Sequence, residues 1–566
     1  MPTFLNIKNV IWNIAMKARS FDFHHPIAFW TGCAAISSGV LAHMPMFLMG
    51  RHNGYQMVGM EMDATMLGGM ALILLGTLLS GYGLTPRVAN TRRELPTDKP
   101  AKFYIADHTR LNNAHWKLFA VLIIALVVDV LKPATLGFVV PGMMREYEIS
   151  KASVSVLALF ALAGTTIGSI VWGWLADVFG RRSSILLSAL LFIGTSICGA
   201  MPTFEWNLAM CFLMGMSAGG LLPIAFTVIA ESVPTAHRGW MLVALGAIGT
   251  SGGYLLAAGS AALLVPEFSW RALWLLGLPT GLLIVFLGRY IPESPRFLAA
   301  AGFESEIRAV SGRFACAQAS LPPESPAAFA NGGELPTSSR VQLLLGSHAT
   351  ITWCLILCGI AWGIVNFGFL LWLPTNLDSM GMDPVVSRWL LTNSALLALP
   401  GTAIAIWLYY RWSSINSLVL FIVLTAAALL MFFLLGLAHV RSTMAIALVT
   451  AAMLMGSTGV IAMLIPYAAE VYPTYSRGTG TGLIAASSKL GGVLGACLGA
   501  LGGAGLDQLL ASPILVTVPL IVAAILLVRY GVETRGRSLE DVHNTFAIED
   551  RASKAQLDRF SNDRDR

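Results

Sequence analysis

Long apolar runs, each bounded by charge or by Pro and Gly, recur along the 566-residue chain near 27–49, 64–84, 117–141, 153–176, 183–201, 207–230, 240–265, 271–290, 350–375, 386–411, 414–437, 443–467, 479–503 and 511–530. A bilayer core of about 30 Å takes roughly 20 apolar residues of helix, so the pattern predicts fourteen spans, grouped two, six and six. Composition agrees, with 56% apolar residues, 12% charged residues and a mean hydropathy of +0.71. A soluble enzyme, a disordered chain and a secreted disulfide scaffold are excluded, because none could cover its surface with so little charge. Six of the seven cysteines fall inside apolar runs, Cys316 sits in a polar loop, and none has metal-ligand spacing. The first 20 residues lack the short apolar core and cleavage site of a signal peptide and read as an interfacial helix.

The net charge of +6 points to topology and not to nucleic acid. With the amino terminus inside, six basic residues lie outside (Arg51, Arg145, Lys151, Arg271, Arg388, Arg441), Lys132 and Lys489 lie within spans, and the rest of the 36 are inside. Both ends are then cytoplasmic. The boundaries follow: an interfacial segment at 1–26, a two-helix hairpin at 27–84, a basic linker at 85–116, a six-helix bundle at 117–298, a Pro/Gly/Ser-rich loop at 299–349, a second bundle at 350–530 and a tail at 531–566. Glu231, Pro234, Arg238 and Gly239 recur as Glu470, Pro473, Arg477 and Gly478, each displaced by 239 residues, and Gly252-Gly253 recurs as Gly491-Gly492. The bundles are therefore a duplication, and because six is even both enter the membrane from the same side, with a cavity between them.

The turn after the second core helix reads GWLADVFGRRSS at 173–184, and Asp177, Gly180, Arg181 and Arg182 resemble the loop signature of the major facilitator superfamily. AESVPTAHRG at 230–239, PESPRFL at 292–298, AEVYPTYSRG at 469–478 and VETRGRSLED at 532–541 are similar to the inside-loop motifs of its sugar-porter and organic-ion branches. The resemblance spans about 117–541. It implies an all-α membrane protein of two parallel six-helix bundles, a secondary transporter working by alternating access, with no enzymatic activity and no cofactor. It also assigns Glu231, Arg238, Glu293, Arg296, Glu470 and Arg477 to inside gates, with solvation of helix ends as the competing reading. The two amino-terminal helices fall outside the family pattern.

The first core helix, DVLKPATLGFVVPG at 129–142, resembles the start of the aromatic-acid and metabolite proton symporters, except that Lys132 stands where a second Asp is usual. In the fourth core helix Cys211 stands where an Arg is usual. These two departures suggest that Lys132 partners Asp129. The physical expectation is independent of the family: charges at membrane depth cost about 2.5–3.5 kcal/mol even on the gentlest scale, so an Asp and a Lys three apart should pair toward a cavity, unless the pair is purely structural. A substrate carboxylate that captured Lys132 would then free Asp129 to take a proton. Lys489, deep in the eleventh core helix where the repeat has Thr250, is the second candidate anion contact, with snorkelling to an interface as the alternative. Asn366 lies near the middle of the seventh core helix and offers a substrate hydrogen bond.

These residues point to proton-coupled symport of a small organic anion in a bacterial inner membrane, with protons and lipid as partners. Two alternatives stay open: a uniporter or exchanger of a neutral or cationic metabolite such as a sugar, and a non-transporting sensor that uses the Met- and His-rich hairpin. In that hairpin His43, Met46, Met49 and His52 are soft ligands that could offer copper a site, although methionine is also common packing filler. An oligomer contact is another role open to the hairpin. No phosphate-binding loop or Ser/His/Asp set appears.

Overall fold

Each of the fourteen apolar runs forms helix over its described residues in the computed structural model, which describes residues 25–84, 110–294, 348–379, 381–438, 442–472, 477–501 and 513–535 and the isolated positions 298, 310, 312–314 and 537. They are α1 (Pro26–Leu41), α2 (Ala64–Leu84), α3 (Asn113–Glu146), α4 (Lys151–Phe179), α5 (Arg181–Gly194), α6 (Phe204–Ser232), α7 (Thr235–Phe268) and α8 (Gly277–Leu287). The second bundle follows as α9 (Ala349–Gly363), α10 (Pro384–Arg411), α11 (Ser414–Leu437), α12 (Thr443–Val471), α13 (Arg477–Leu501) and α14 (Pro513–Tyr530). Twelve helical segments are long and apolar enough to cross a membrane, so the expected count of fourteen is met in part. The other two runs are α13 and α14. Most of the interfacial segment, of the linker, of the loop between the bundles and of the tail lies outside the described residues.

Helix starts coincide with side chains that can satisfy free N–H groups. Asn112 accepts from Ala114 N at 3.0 Å at the head of α3, and Asp383 accepts from Val385 N at 2.8 Å at the head of α10. Ser150, Thr203, Ser413 and Ser442 do the same for α4, α6, α11 and α12. The hairpin closes on glycine at seven-residue spacing: a Cβ on Gly39 would stand 2.5 Å from Gly69 O, and one on Gly32 would stand 2.6 Å from Gly76 O. The helices meet backbone to backbone, a contact driven in lipid by shape, since lipid tails are as apolar as Leu.

The hairpin rests on α5. At the face opposite Arg181 and Arg182, the N–H of Met57 donates to Glu146 Oε1 at 2.8 Å. Glu146 is itself salt-bridged to the buried Arg271 at 2.6 Å and accepts from Trp270 Nε1 at 2.8 Å. Helices α3–α8 form one half and α9–α14 the other. Within the first, α4 lies against α6 and α3 against α7; within the second, α9 lies against α13 and α11 against α12. The halves meet where α4 packs on α13 and where α7 packs on α10 and α12.

Candidate functional site

Between the halves lies a cavity of about 110 Å³, lined by α3, α4, α6 and α7 on one side and by the α9 segment, α12 and α13 on the other. One water needs about 10–15 Å³ by the same kind of measure, so the space suits several waters or a small organic molecule. The α9 helix supplies an irregular wall: after Gly363 the backbone widens to a π-turn at Ile364–Phe369, tightens to a 3₁₀ turn at Leu370–Trp372, and resumes as helix at Leu373–Ser379. Pro374 has no N–H to give the carbonyl four residues back, which accounts for part of the break. Wide turns of this kind inside helices often mark functional sites, and here Asn366 and Phe367 stand in the cavity wall on the turn.

Asp129 faces the cavity, as its position on α3 leads one to expect, but the pair with Lys132 is not formed. Lys132 points behind α3: its Nζ donates to Phe192 O at 2.8 Å and to Thr195 Oγ1 at 2.8 Å, and it sits 4.2 Å from the centre of the Phe192 ring. The cause is the end of α5, where the helix gives way to a 3₁₀ turn at Thr195–Ala200 and leaves a carbonyl and a hydroxyl to receive the ammonium. Lys132 also lies close to Cys198 and Cys211, so the cation does stand near the helix where an Arg was missing, with a different partner.

Lys489 takes the place expected of Lys132. It lines the cavity from α13, 4.9 Å from the centre of the Phe367 ring, and it is the cation whose field acts on Asp129 from the other half. No direct ion pair joins the two. Asp129, Lys489 and Asn366 are therefore brought together around one space, walled by the rings of Phe138, Tyr254, Trp362 and Phe367. Trp362 is fixed by its Nε1 donating to Ser457 O at 2.7 Å. These ring positions carry no signal in uniformly apolar helices.

At the basic face, Glu293 accepts from Arg181 N at 2.7 Å and Arg182 N at 3.2 Å, capping the start of α5. Gly180 turns there with φ +103°, and a Cβ on it would strike the Glu293 carboxylate at 2.4 Å. Arg181 also reaches Glu231 at 3.5 Å, and Ser294 donates to Glu231. Burial pushes the Glu293 carboxyl up to about 7 against these donors. In the second half Glu470 accepts from Tyr409 at 2.7 Å and Thr534 at 2.6 Å, and Arg238 acts on it across the interface. Glu533 receives Ser414 N at 2.9 Å, the counterpart of the Glu293 cap. The near-repeat spacing from Glu293 to Glu533 is the sequence signal that identifies it. The side chains of Asp177, Arg296 and Arg477 lie outside the described residues.

At the opposite face Arg145 meets Asp378 at 3.3 Å, joining the halves. In the hairpin, His43 and Met46 are buried while Met49 and His52 are exposed. His43 donates through Nδ1 to Gly39 O at 2.8 Å.

The family model of the Major Facilitator Superfamily matches residues 118–496. The chain is 26% identical over 431 residues to the niacin transporter NiaP of Acinetobacter baylyi, covering 76% of this chain and 96% of that one. It is 29% identical over 406 residues to the 4-hydroxybenzoate transporter PcaK of Pseudomonas aeruginosa, covering 69% and 86%. Among solved structures, the proton:xylose symporter XylE superposes with a TM-score of 0.61 at 16% identity, over 76% of this chain and 99% of that one, a likeness of fold.

Proposed function

Because the chain belongs to the Major Facilitator Superfamily and is a multi-pass membrane transporter rather than an enzyme, we propose that it carries a small aromatic carboxylate together with a proton, opening its central cavity alternately to the two faces. The observation behind this reading is one carboxyl, Asp129, and one ammonium, Lys489, facing a single ring-lined cavity from opposite halves. Lys489 receives the substrate carboxylate, and Phe138, Trp362 and Phe367 accept its planar body.

Charge balance supplies the coupling. With Asp129 ionised and Lys489 protonated, the cavity holds one negative and one positive group and is neutral. An entering carboxylate alone would leave it negative, and uncompensated charge in a low-dielectric space costs several kcal/mol. A proton on Asp129 restores neutrality, so anion and proton favour each other's binding. A neutral sugar would need neither group. The names of the niacin and 4-hydroxybenzoate relatives support a ring-bearing acid, their bacterial sources support a bacterial plasma membrane, and the basic residues support a cytoplasmic placement of the Arg181 face.

In proteoliposomes, Asp129→Asn is expected to keep exchange of 4-hydroxybenzoate or nicotinate across the membrane but to lose accumulation driven by a pH gradient, while Lys489→Gln loses binding. Uphill uptake that persists in Asp129→Asn overturns the coupling, and binding that persists in Lys489→Gln overturns the carboxylate assignment.

A further inference from the structure

The hydroxyls around the cavity divide into engaged and idle ones. Thr165 donates to Ala161 O at 2.8 Å, Ser169 to Gly219 O at 2.9 Å, Thr250 to Gly246 O at 2.7 Å and Ser488 to Ala485 O at 2.7 Å. Each is thereby spent on backbone. Ser457 and Tyr254 line the same cavity, and both hydroxyls are buried without a hydrogen-bond partner; of the two, only Tyr254 stands on the half opposite Lys489. A buried polar group left so costs about 1–3 kcal/mol, and a phenylalanine would fill the same place without that cost. The ring is set against Phe138, 6.1 Å between centroids, in a position where only the hydroxyl distinguishes it from an apolar wall.

Its place relative to Lys489 indicates what it serves. Thr250 and Lys489 occupy corresponding positions in the two halves, 239 residues apart. Tyr254 lies one turn beyond Thr250 on α7, about 6 Å further along the helix axis at 1.5 Å per residue. It therefore sits on the opposite half from Lys489 and at a different depth. A planar acid with its carboxylate at Lys489 extends its far end toward Tyr254.

The geometry points to Tyr254 as the residue that selects the substrate's far end: it takes a hydrogen-bonding group on the ring, a hydroxyl or a ring nitrogen, remote from the carboxylate. A phenol both donates and accepts, so either group satisfies it. This deepens the carboxylate reading above and rests on it. The transporter then discriminates against unsubstituted aromatic acids, because these leave the phenol unpaired in the closed cavity.

The test is equilibrium binding of benzoate, 4-hydroxybenzoate and nicotinate to the purified full chain and to Tyr254→Phe, with thermal stability of both measured without ligand. Wild type is expected to bind the two substituted acids roughly tenfold or more tighter than benzoate, about 1.4 kcal/mol or more. Tyr254→Phe is expected to lose that preference, to bind benzoate as wild type does, and to be at least as stable. A preference that survives in Tyr254→Phe, or a uniform loss for all three acids, overturns the assignment. Failure of the underlying reading has a different signature: no acid binds wild type, or Lys489→Gln binds all three unchanged.

Discussion

Glu293 is the residue with the most direct pH signature. Its carboxyl is buried at the head of α5, and burial raises it to about 7 despite the N–H groups of Arg181, Arg182 and Ser294. A carboxyl raised on folding contributes stability that is complete below its unfolded value near 4.5 and is lost as pH rises through about 7. The loss between pH 5 and 8 is on the order of 3 kcal/mol. Thermal unfolding in detergent should therefore show a falling midpoint over that range in wild type and a flatter profile in Glu293→Gln; equal slopes would remove the assignment. The sequence made this residue visible through its motif, as it did Asp129 and Lys489 through charge in apolar helix. It did not reveal which of two lysines faces Asp129, since both are buried cations and only the end of α5 decides where Lys132 turns.

At the level of elements, α3 and α5 illustrate how one helix end redirects a neighbour. The ammonium of Lys132 bridges α3 to Phe192 O and Thr195 at the point where α5 changes to a tighter turn. Lys132 thus braces α3 to α5 inside one half and does not line the cavity. Lys132→Met, which keeps the chain length and removes the charge, is expected to retain pH-driven uptake and wild-type affinity for carboxylates, with stability changed by no more than about 1–2 kcal/mol. Uptake abolished in that variant, with the protein folded, would restore Lys132 to the transport site. The α9 segment was legible as a span but not as a broken one: Pro374 was visible, whereas a π-turn needs the packing of α9 on α13 to hold it open. The hairpin seam was equally hidden, because glycine at seven-residue spacing within apolar sequence does not say which helix it meets.

For the whole molecule, the halves touch on both sides of the cavity. Arg238 and Glu470 act across the basic face, and Arg145 meets Asp378 across the other. The Arg145 side of the latter pair is well exposed, so the contact is worth no more than about 1 kcal/mol, enough to shift a two-state balance several-fold. Burial raises the Asp378 carboxyl, so the ion pair holds at higher pH and is lost as pH falls through that raised value. Asp378→Asn is expected to increase thiol labelling of a cysteine introduced at the cavity-lining Ala134 from the Arg145 face by roughly threefold to fivefold and to make it insensitive to acid. Unchanged labelling would count against the contact as a gate. The division into two bundles was legible from the 239-residue repeat, and the latches that close them were not, because each joins residues far apart in sequence. The hairpin adds an asymmetry to this duplicated body. Its ties to Glu146 and α5 all run to the first half. In the alternating access proposed above, two further helices in lipid add drag to the first half alone, so the second half is expected to travel further against the bilayer.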